Sequence, residues 1–236
     1  MKVSSNDLYT GGTYFKNNPT WDIEDSTWKA AVIFKLLQKN DIAVTEVTEI
    51  GCGAGGNLIE LSKSDERIKN LAGYDISPQA IEMAQKNAKD NINFFIGDIT
   101  EKENFHTELM LVIDVVEHVD DFYGFLRKLR SKSEHFVFHI PLDLSCRTVM
   151  KPQVLLQQRE SVGHIHYYTR EMVEWALQDT GYQITDWVYT KPVVDIQPAG
   201  SLKRYIKKVL RNIAFDMNND WSVKKWGGYS IMVLAK

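Results

Sequence analysis

Apolar residues recur at helical spacing between residues 25 and 39, where Trp28, Ala31, Val32, Ile33, Leu36 and Leu37 share one face. Beyond that helix, strand and helix signals alternate. Glu46–Ile50 reads as a strand, residues 57–63 as a helix and residues 71–75 as a second strand. Ser77-Pro78 supplies an N-cap and a first-turn proline for a helix carrying Ala80, Ile81, Ala84 and Ala88. Ile92–Ile96, residues 109–115 and residues 135–140 are the next three strands. A helix with Phe122, Phe125, Leu126 and Leu129 on one face separates the last two. Strands alternating with helices at this spacing predict a parallel sheet wound on both faces.

After Pro141 the pattern loosens. Residues 169–181 form a helix with a threonine cap and a glycine stop, and residues 183–189 and 229–234 read as strands. Between those strands lie Lys191-Pro192, Gln197-Pro198 and a basic helix over residues 201–213. The first twenty residues are polar and turn-rich, with Gly11-Gly12 and Asn17-Asn18-Pro19. They also carry Tyr9, Tyr14 and Phe15, which with Trp21 and Trp28 suit a lid over a pocket. Packing of a cap helix onto the sheet accounts for Trp28 equally well.

Composition changes this picture little. The 236 residues are 44% hydrophobic and 25% charged, the range of an ordinary globular chain with one α/β domain and appendages. A net charge of −3 creates no positive field to draw nucleic acid. The polar start lacks a signal peptide's apolar segment, and the longest apolar runs are too short for a bilayer. Cys52 and Cys146 do not form a metal or redox spacing, so a reducing cytoplasm is expected.

The chemistry begins where the first strand meets Glu49-Ile-Gly-Cys-Gly-Ala-Gly-Gly-Asn57. Glycines there permit a tight strand-to-helix turn and close approach of a ligand to the backbone. Gly51, Gly53 and Gly56 also satisfy the dinucleotide fingerprint, with Asp75 near the ribose-binding distance. Further acids separate the readings. Glu49 precedes the first glycine by two, Gly97-Asp98-Ile99 ends the third strand, and Asp114-Val-Val-Glu117-His118-Val-Asp120-Asp121 ends the fourth. All fall at the carboxyl edge, where open α/β sheets bind ligands.

Those four blocks, in that order and spacing, resemble the class I S-adenosylmethionine (SAM)-dependent methyltransferases. The subgroup most similar includes the ubiquinone-biosynthesis O-methyltransferases and related small-molecule enzymes. Gly163-His-Ile-His-Tyr-Tyr-Thr169, Gly181-Tyr182 and Gly227-Gly-Tyr-Ser230 extend the likeness, which covers about residues 45–190 and the last ten. The resemblance implies a Rossmann-like, seven-stranded, mostly parallel sheet of order 3-2-1-4-5-7-6 with an antiparallel last strand. It also implies one methyltransferase domain: a cap over residues 1–44, a cofactor core over 45–190, a basic helical insertion over 191–226 and a last strand over 227–236. Gly51, Cys52, Gly53 and Gly55 would floor the cofactor, and Glu49 would orient that loop and reach the cofactor's cationic end. Asp75 would accept hydrogen bonds from both ribose hydroxyls. Ile76 and Ile99 would sandwich adenine, with Asp98 at its amine and Asp114 near the amino-acid moiety. Capping of turns is the plainer role for Asp75 and Asp98.

SAM carries an already activated methyl, so the protein must align a nucleophile, exclude water and, for many acceptors, remove a proton. S-adenosylhomocysteine is the implied product and a small molecule the implied methyl acceptor. Of six histidines, His118, His164 and His166 are the candidate bases, while His139 inside the fifth strand reads as a core residue. Asp114, Glu117 and His118 also have the residue types of a two-carboxylate, one-histidine metal set, but Asp114 is claimed by the cofactor and no metal is assigned. In the basic helix, Lys203, Arg204, Lys207, Lys208 and Arg211 flank an apolar stripe of Leu202, Tyr205, Ile206, Val209, Leu210 and Ile213. A surface helix packed on the sheet is the plainer reading. Contact with a membrane surface or an acidic substrate is the functional one. The rival functions are a methyltransferase acting on protein or RNA, a non-catalytic SAM-binding protein and an NAD(P)-dependent dehydrogenase. Asp114-Val-Val-Glu117 differs from the (D/N/S)-P-P-(Y/F) run of amino-methylating base enzymes.

Overall fold

A computed structural model describes residues 9, 11–21, 23–196 and 200–236. Its strands are β1 (Glu46–Ile50), β2 (Asn70–Asp75), β3 (Ile92–Ile96), β4 (Thr107–Ile113), β5 (Ser133–Pro141), β6 (Ile184–Thr190) and β7 (Ser230–Ala235). They form one sheet in the order β3-β2-β1-β4-β5-β7-β6. β1 to β5 run parallel, and β7 pairs antiparallel with both β5 and β6. This is the topology the resemblance implied.

The helices of the described residues are α1 (Thr13–Asn17), α2 (Ser26–Lys39), α3 (Gly56–Ser64), α4 (Pro78–Lys86), α5 (Phe122–Leu129), α6 (Cys146–Met150), α7 (Gln153–Ser161), α8 (Arg170–Asp179), α9 (Pro192–Asp195), α10 (Leu202–Met217) and α11 (Asn219–Trp226). The periodic faces account for the cores. On β4, Met110 and Val112 point into one apolar cluster with Leu126 and Leu129 of α5 and Val173 and Leu177 of α8. Leu109, Leu111 and Ile113 point into the other, with Ile33 and Leu37 of α2, Leu58 and Leu61 of α3 and Ile81 of α4. A strand covered on both faces is apolar at successive positions rather than alternate ones. The caps form as read: the Ser77 hydroxyl accepts from the Ala80 N–H at 3.4 Å, and Thr169 accepts from Met172.

The sequence reading needs four corrections. Ala31, on the predicted apolar face of α2, is exposed. Ala88 is exposed beyond the end of α4, because Asn87 caps that helix. β4 stops at Ile113, so Asp114 and Val115 lie in the loop after it. α10 has no buried residue, and the six members of its apolar stripe are 40–74% exposed. It is held from the side instead, by Lys191 Nζ donating to Asn212 Oδ1 at 2.6 Å and by Phe215 stacking on Tyr229. α6, α7, α9 and α11 went unread because they are short or weakly periodic. The expected Gln197-Pro198 turn and residues 1–8 lie outside the described residues. Among the described residues no helix is long and apolar enough to cross a membrane.

Candidate active site

β1 and β4 are neighbours, yet the chain passes from β1 to β2 on one side and from β4 to β5 on the other. The loops at their carboxyl ends therefore diverge and leave a crevice. A cavity of about 560 Å³ lies there, lined by the loops that follow β1, β2, β3 and β4.

The glycine loop shapes its floor. Gly51 has φ +64, and a Cβ there would stand 2.5 Å from the Val115 methyl of the β4 loop. No side chain fits, so the two loops close on each other only with glycine at that position. Gly51, Cys52 and Gly53 line the cavity. Gly55 does not: its left-handed backbone caps α3, and its missing side chain makes room for Phe94. Asp75 ends β2 beneath the loop. One carboxylate oxygen accepts from the Gly53 N–H at 3.0 Å, and the other accepts from the Ser77 N–H at 2.8 Å. Each oxygen keeps a second lone pair, so the turn-forming role leaves acceptor capacity on both. Burial raises its carboxyl pKa. Asp98 similarly accepts from the Thr100 N–H at 2.8 Å and lines the cavity beside Ile76.

Two expected residues sit behind the wall. Ile99 is fully buried in the core, because the turn begun by Asp98 directs it inward. Glu49 is also buried, and its Oε1 accepts from Asn57 Nδ2 at 2.7 Å. It thereby fixes the first turn of α3, and burial lifts its pKa to about 8 against smaller opposing effects of Asn57 and Lys29.

Asp114 faces the cavity in a left-handed conformation, φ +54. Its oxygens pair with Lys29 Nζ at 2.9 Å and His139 Nδ1 at 2.7 Å, while His139 Nε2 reaches the Thr190 hydroxyl at 2.9 Å. Burial alone would raise the Asp114 carboxyl, but His139 and Lys29 outweigh it and hold it ionised well below the usual range. Lys29 was missed in the sequence. Its signal is a cation one helical turn before buried Ile33 on α2.

Aromatic residues roof the chamber. Tyr14 lies 4.7 Å from Trp21 and 4.9 Å from Tyr9, ring centre to ring centre, and Tyr9 packs edge-on to His118 at 5.5 Å. Trp21 covers Gly53. The Tyr9 hydroxyl donates to Val162 O at 3.3 Å, and Asn18 donates to Ser161 O at 3.3 Å, so the roof reaches the end of α7.

The candidate bases separate. His118 lines the cavity, but its Nδ1 binds Gly163 O at 3.1 Å, and burial, with His164 beside it, lowers its pKa to about 4. Its Nε2 lies 3.9 Å from Glu117 Oε1. His166 turns away, its Nε2 bound to Val119 O at 2.9 Å and its ring against Phe122. His164 Nδ1 binds Asp143 Oδ2 at 2.7 Å, behind His118 and not on the cavity wall.

A seven-stranded sheet of this order with a glycine loop and acids along its carboxyl edge is that of a class I SAM-dependent methyltransferase. The sequence profile of the methyltransferase domain family matches residues 26–186, and the chain belongs to that family. The likeness to a ubiquinone-pathway subgroup is not part of that finding. Over 71 residues the chain is 41% identical to a Methanocaldococcus jannaschii protein named as a candidate protein N5-glutamine methyltransferase. That stretch is 28% of this chain and 35% of that protein. Among solved structures, the complex of the Haloferax volcanii Trm112 methyltransferase activator with a candidate methyltransferase contains a similar chain. It matches with a TM-score of 0.66 and 14% identity, over 99% of this chain and 96% of the other. Magnesium protoporphyrin IX methyltransferase from Synechocystis PCC 6803, with bound S-adenosylhomocysteine, matches with a TM-score of 0.59 and 16% identity, over 89% and 82%. The cofactor is SAM, and the cavity's donor set suits it: paired carboxylate lone pairs on Asp75, a second acid at Asp98, and the bare backbone of Gly51 and Gly53.

Proposed function

We propose that this enzyme transfers the methyl group of SAM to an oxygen or nitrogen of a small molecule by direct in-line displacement. The observation that carries the reading is the roof. Tyr9, Tyr14 and Trp21 span from the glycine loop to α7 and His118 and turn the crevice into a chamber, a shape that suits a compact acceptor better than a polymer.

SAM supplies a sulfonium-bound methyl whose electronics need no help from the protein. In this reading Asp75 takes the ribose hydroxyls, Ile76 and Asp98 the adenine face and amine, and Gly51 to Gly53 the chain below them. Asp114, pinned by Lys29 and His139, offers a fixed negative charge near the amino-acid end. In this reading the roof excludes water, and the acceptor occupies the part of the cavity lined by His118, Val119, Phe125 and Lys128. The acceptor's lone pair forms the new bond to carbon as the carbon–sulfur pair returns to sulfur. Incubating the protein with SAM and a panel of phenols, catechols, sugars and small amines should release S-adenosylhomocysteine with at least one member. Release with glutamine-bearing peptide or RNA alone would replace the small-molecule reading.

The exposed stripe of α10 favours one addition. Lys203, Arg204, Lys207 and Lys208 flank it, whereas Arg211 turns inward, donating to Gly227 O and lying over Tyr229 at 5.1 Å. An apolar stripe edged by cations suits an anionic lipid surface, from which a lipid-linked acceptor would be drawn. Co-flotation with vesicles containing phosphatidylserine, lost at high salt, is expected. Binding to neutral vesicles alone would contradict the electrostatic part.

A further inference from the structure

Behind the chamber wall, three side chains converge without a donor among them. Glu117 is fully buried, and neither of its carboxylate oxygens has a hydrogen-bond partner among the described residues. An ionised group in that position costs several kcal/mol unless a positive charge meets it. Facing its Oε1 are His118 Nε2 at 3.9 Å and His164 Nε2 at 4.0 Å, and all three atoms lie within 4.8 Å of one another. These separations are too long for hydrogen bonds.

The other nitrogens explain which way the lone pairs point. His118 Nδ1 lies 3.1 Å from Gly163 O, and a carbonyl only accepts, so this nitrogen carries the hydrogen. His164 Nδ1 lies 2.7 Å from Asp143 Oδ2, which is itself steadied by Gln158 Nε2 on Oδ1 at 2.6 Å. In the neutral rings both Nε2 atoms are then bare lone pairs aimed at a carboxylate. Histidine metal ligands show this same arrangement, the distal nitrogen donating to a carboxylate or carbonyl that fixes the ring.

The backbone is built to bring the set together. Ile165 and His166 both donate their N–H groups to Glu117 O, at 2.9 and 3.1 Å, which clamps the Gly163–Tyr168 segment onto the turn holding Glu117 and His118. Asp114, which the sequence offered as the second carboxylate, is engaged by Lys29 and His139 instead.

We infer that Glu117, His118 and His164 bind a divalent first-row transition-metal ion, facing the chamber through His118. Two imidazoles and one carboxylate suit zinc or iron better than magnesium or calcium, and three protein ligands leave positions open for an acceptor oxygen. Ligand bonds of about 2.1 Å place neighbouring donors about 3–3.4 Å apart, so about 1 Å of side-chain closure completes the site. Metal binding stands on this geometry alone; a role in holding the acceptor rests on the methyl-transfer reading above.

The test is titration of chelator-treated full-length protein with Co²⁺ and Zn²⁺, followed by visible absorption and calorimetry, with SAM affinity measured on the same samples. One equivalent of Co²⁺ with new visible bands is expected, displaced by Zn²⁺. Glu117→Gln and His164→Asn should each weaken it by about 10–100-fold. His164→Asn keeps a donor for Asp143 and carries the test should Glu117→Gln fail to fold. SAM affinity in both variants should stay within about twofold of wild type. Absence of stoichiometric binding, or equal binding by both variants, overturns the site. Loss of SAM binding by the wild-type protein would instead sink the methyl-transfer reading and leave the metal result standing.

Discussion

Helices α2 and α10 carry the same kind of message in sequence and receive opposite treatment in the fold. Both have an apolar stripe at helical spacing with cations beside it. On α2 most of the stripe is inside: Ile33, Leu36 and Leu37 are at most 4% exposed, Trp28 and Val32 are half-buried, only Ala31 is exposed, and Lys29 points inward to Asp114. On α10 the stripe faces out, and Ile206 is half exposed. Periodicity reveals that a face wants cover; it does not say what covers it.

Substitutions sharpen the contrast. Ile33→Ala should cost about 2–4 kcal/mol in urea unfolding, since it empties a packed site. The matching change Ile206→Ala should cost less than about 0.5 kcal/mol. Equal costs would mean that α10 is packed after all.

Next in size is Lys29→Met. It leaves the Asp114 carboxylate with His139 alone, and about 1–3 kcal/mol should be lost, discounted because Asp114 is partly open to solvent. No change in the unfolding midpoint would show that the ion pair contributes nothing.

Glu49→Gln tests the buried acid behind the glycine loop through pH. The Glu49 carboxyl stays protonated in the fold up to about pH 8, whereas the unfolded chain loses that proton near 4.5. Its contribution is therefore fully present below about pH 4.5 and lost as pH rises through 8. The variant should gain stability over wild type on going from pH 5 to pH 8.5, by on the order of 1–3 kcal/mol. A pH-independent difference would place the ionised form comfortably in the fold. Smallest for stability is Lys203→Glu with Lys207→Glu, which should leave the unfolding curve in place while abolishing flotation with anionic vesicles.

What the sequence made legible was local. The glycine loop, Asp75 and Asp98 follow directly from strand ends, where a few consecutive residues set the backbone and the turn chemistry is short-range. Strand order followed from a resemblance rather than from periodicity. The contacts that went unread are long-range. Lys29 meets Asp114 across the cap, and His164 meets Glu117 only because a later segment hydrogen-bonds back onto the β4 loop. Nothing within either segment names its partner. Ile99 and Gly55 show the reverse error: motif position suggested a cavity wall, and one turn of backbone sent the first into the core while Phe94 claimed the space beside the second.

The central assignment is the cofactor at the carboxyl edge. Calorimetric titration of wild type and Asp75→Ala with SAM, S-adenosylhomocysteine, NAD and NADP tests it most directly. Binding of the two adenosyl cofactors alone, weakened at least about 100-fold in Asp75→Ala by the loss of charge-assisted hydrogen bonds, is the predicted result. Unchanged SAM affinity in the variant would contradict the ribose assignment, and binding of a nicotinamide cofactor instead would contradict the account as a whole.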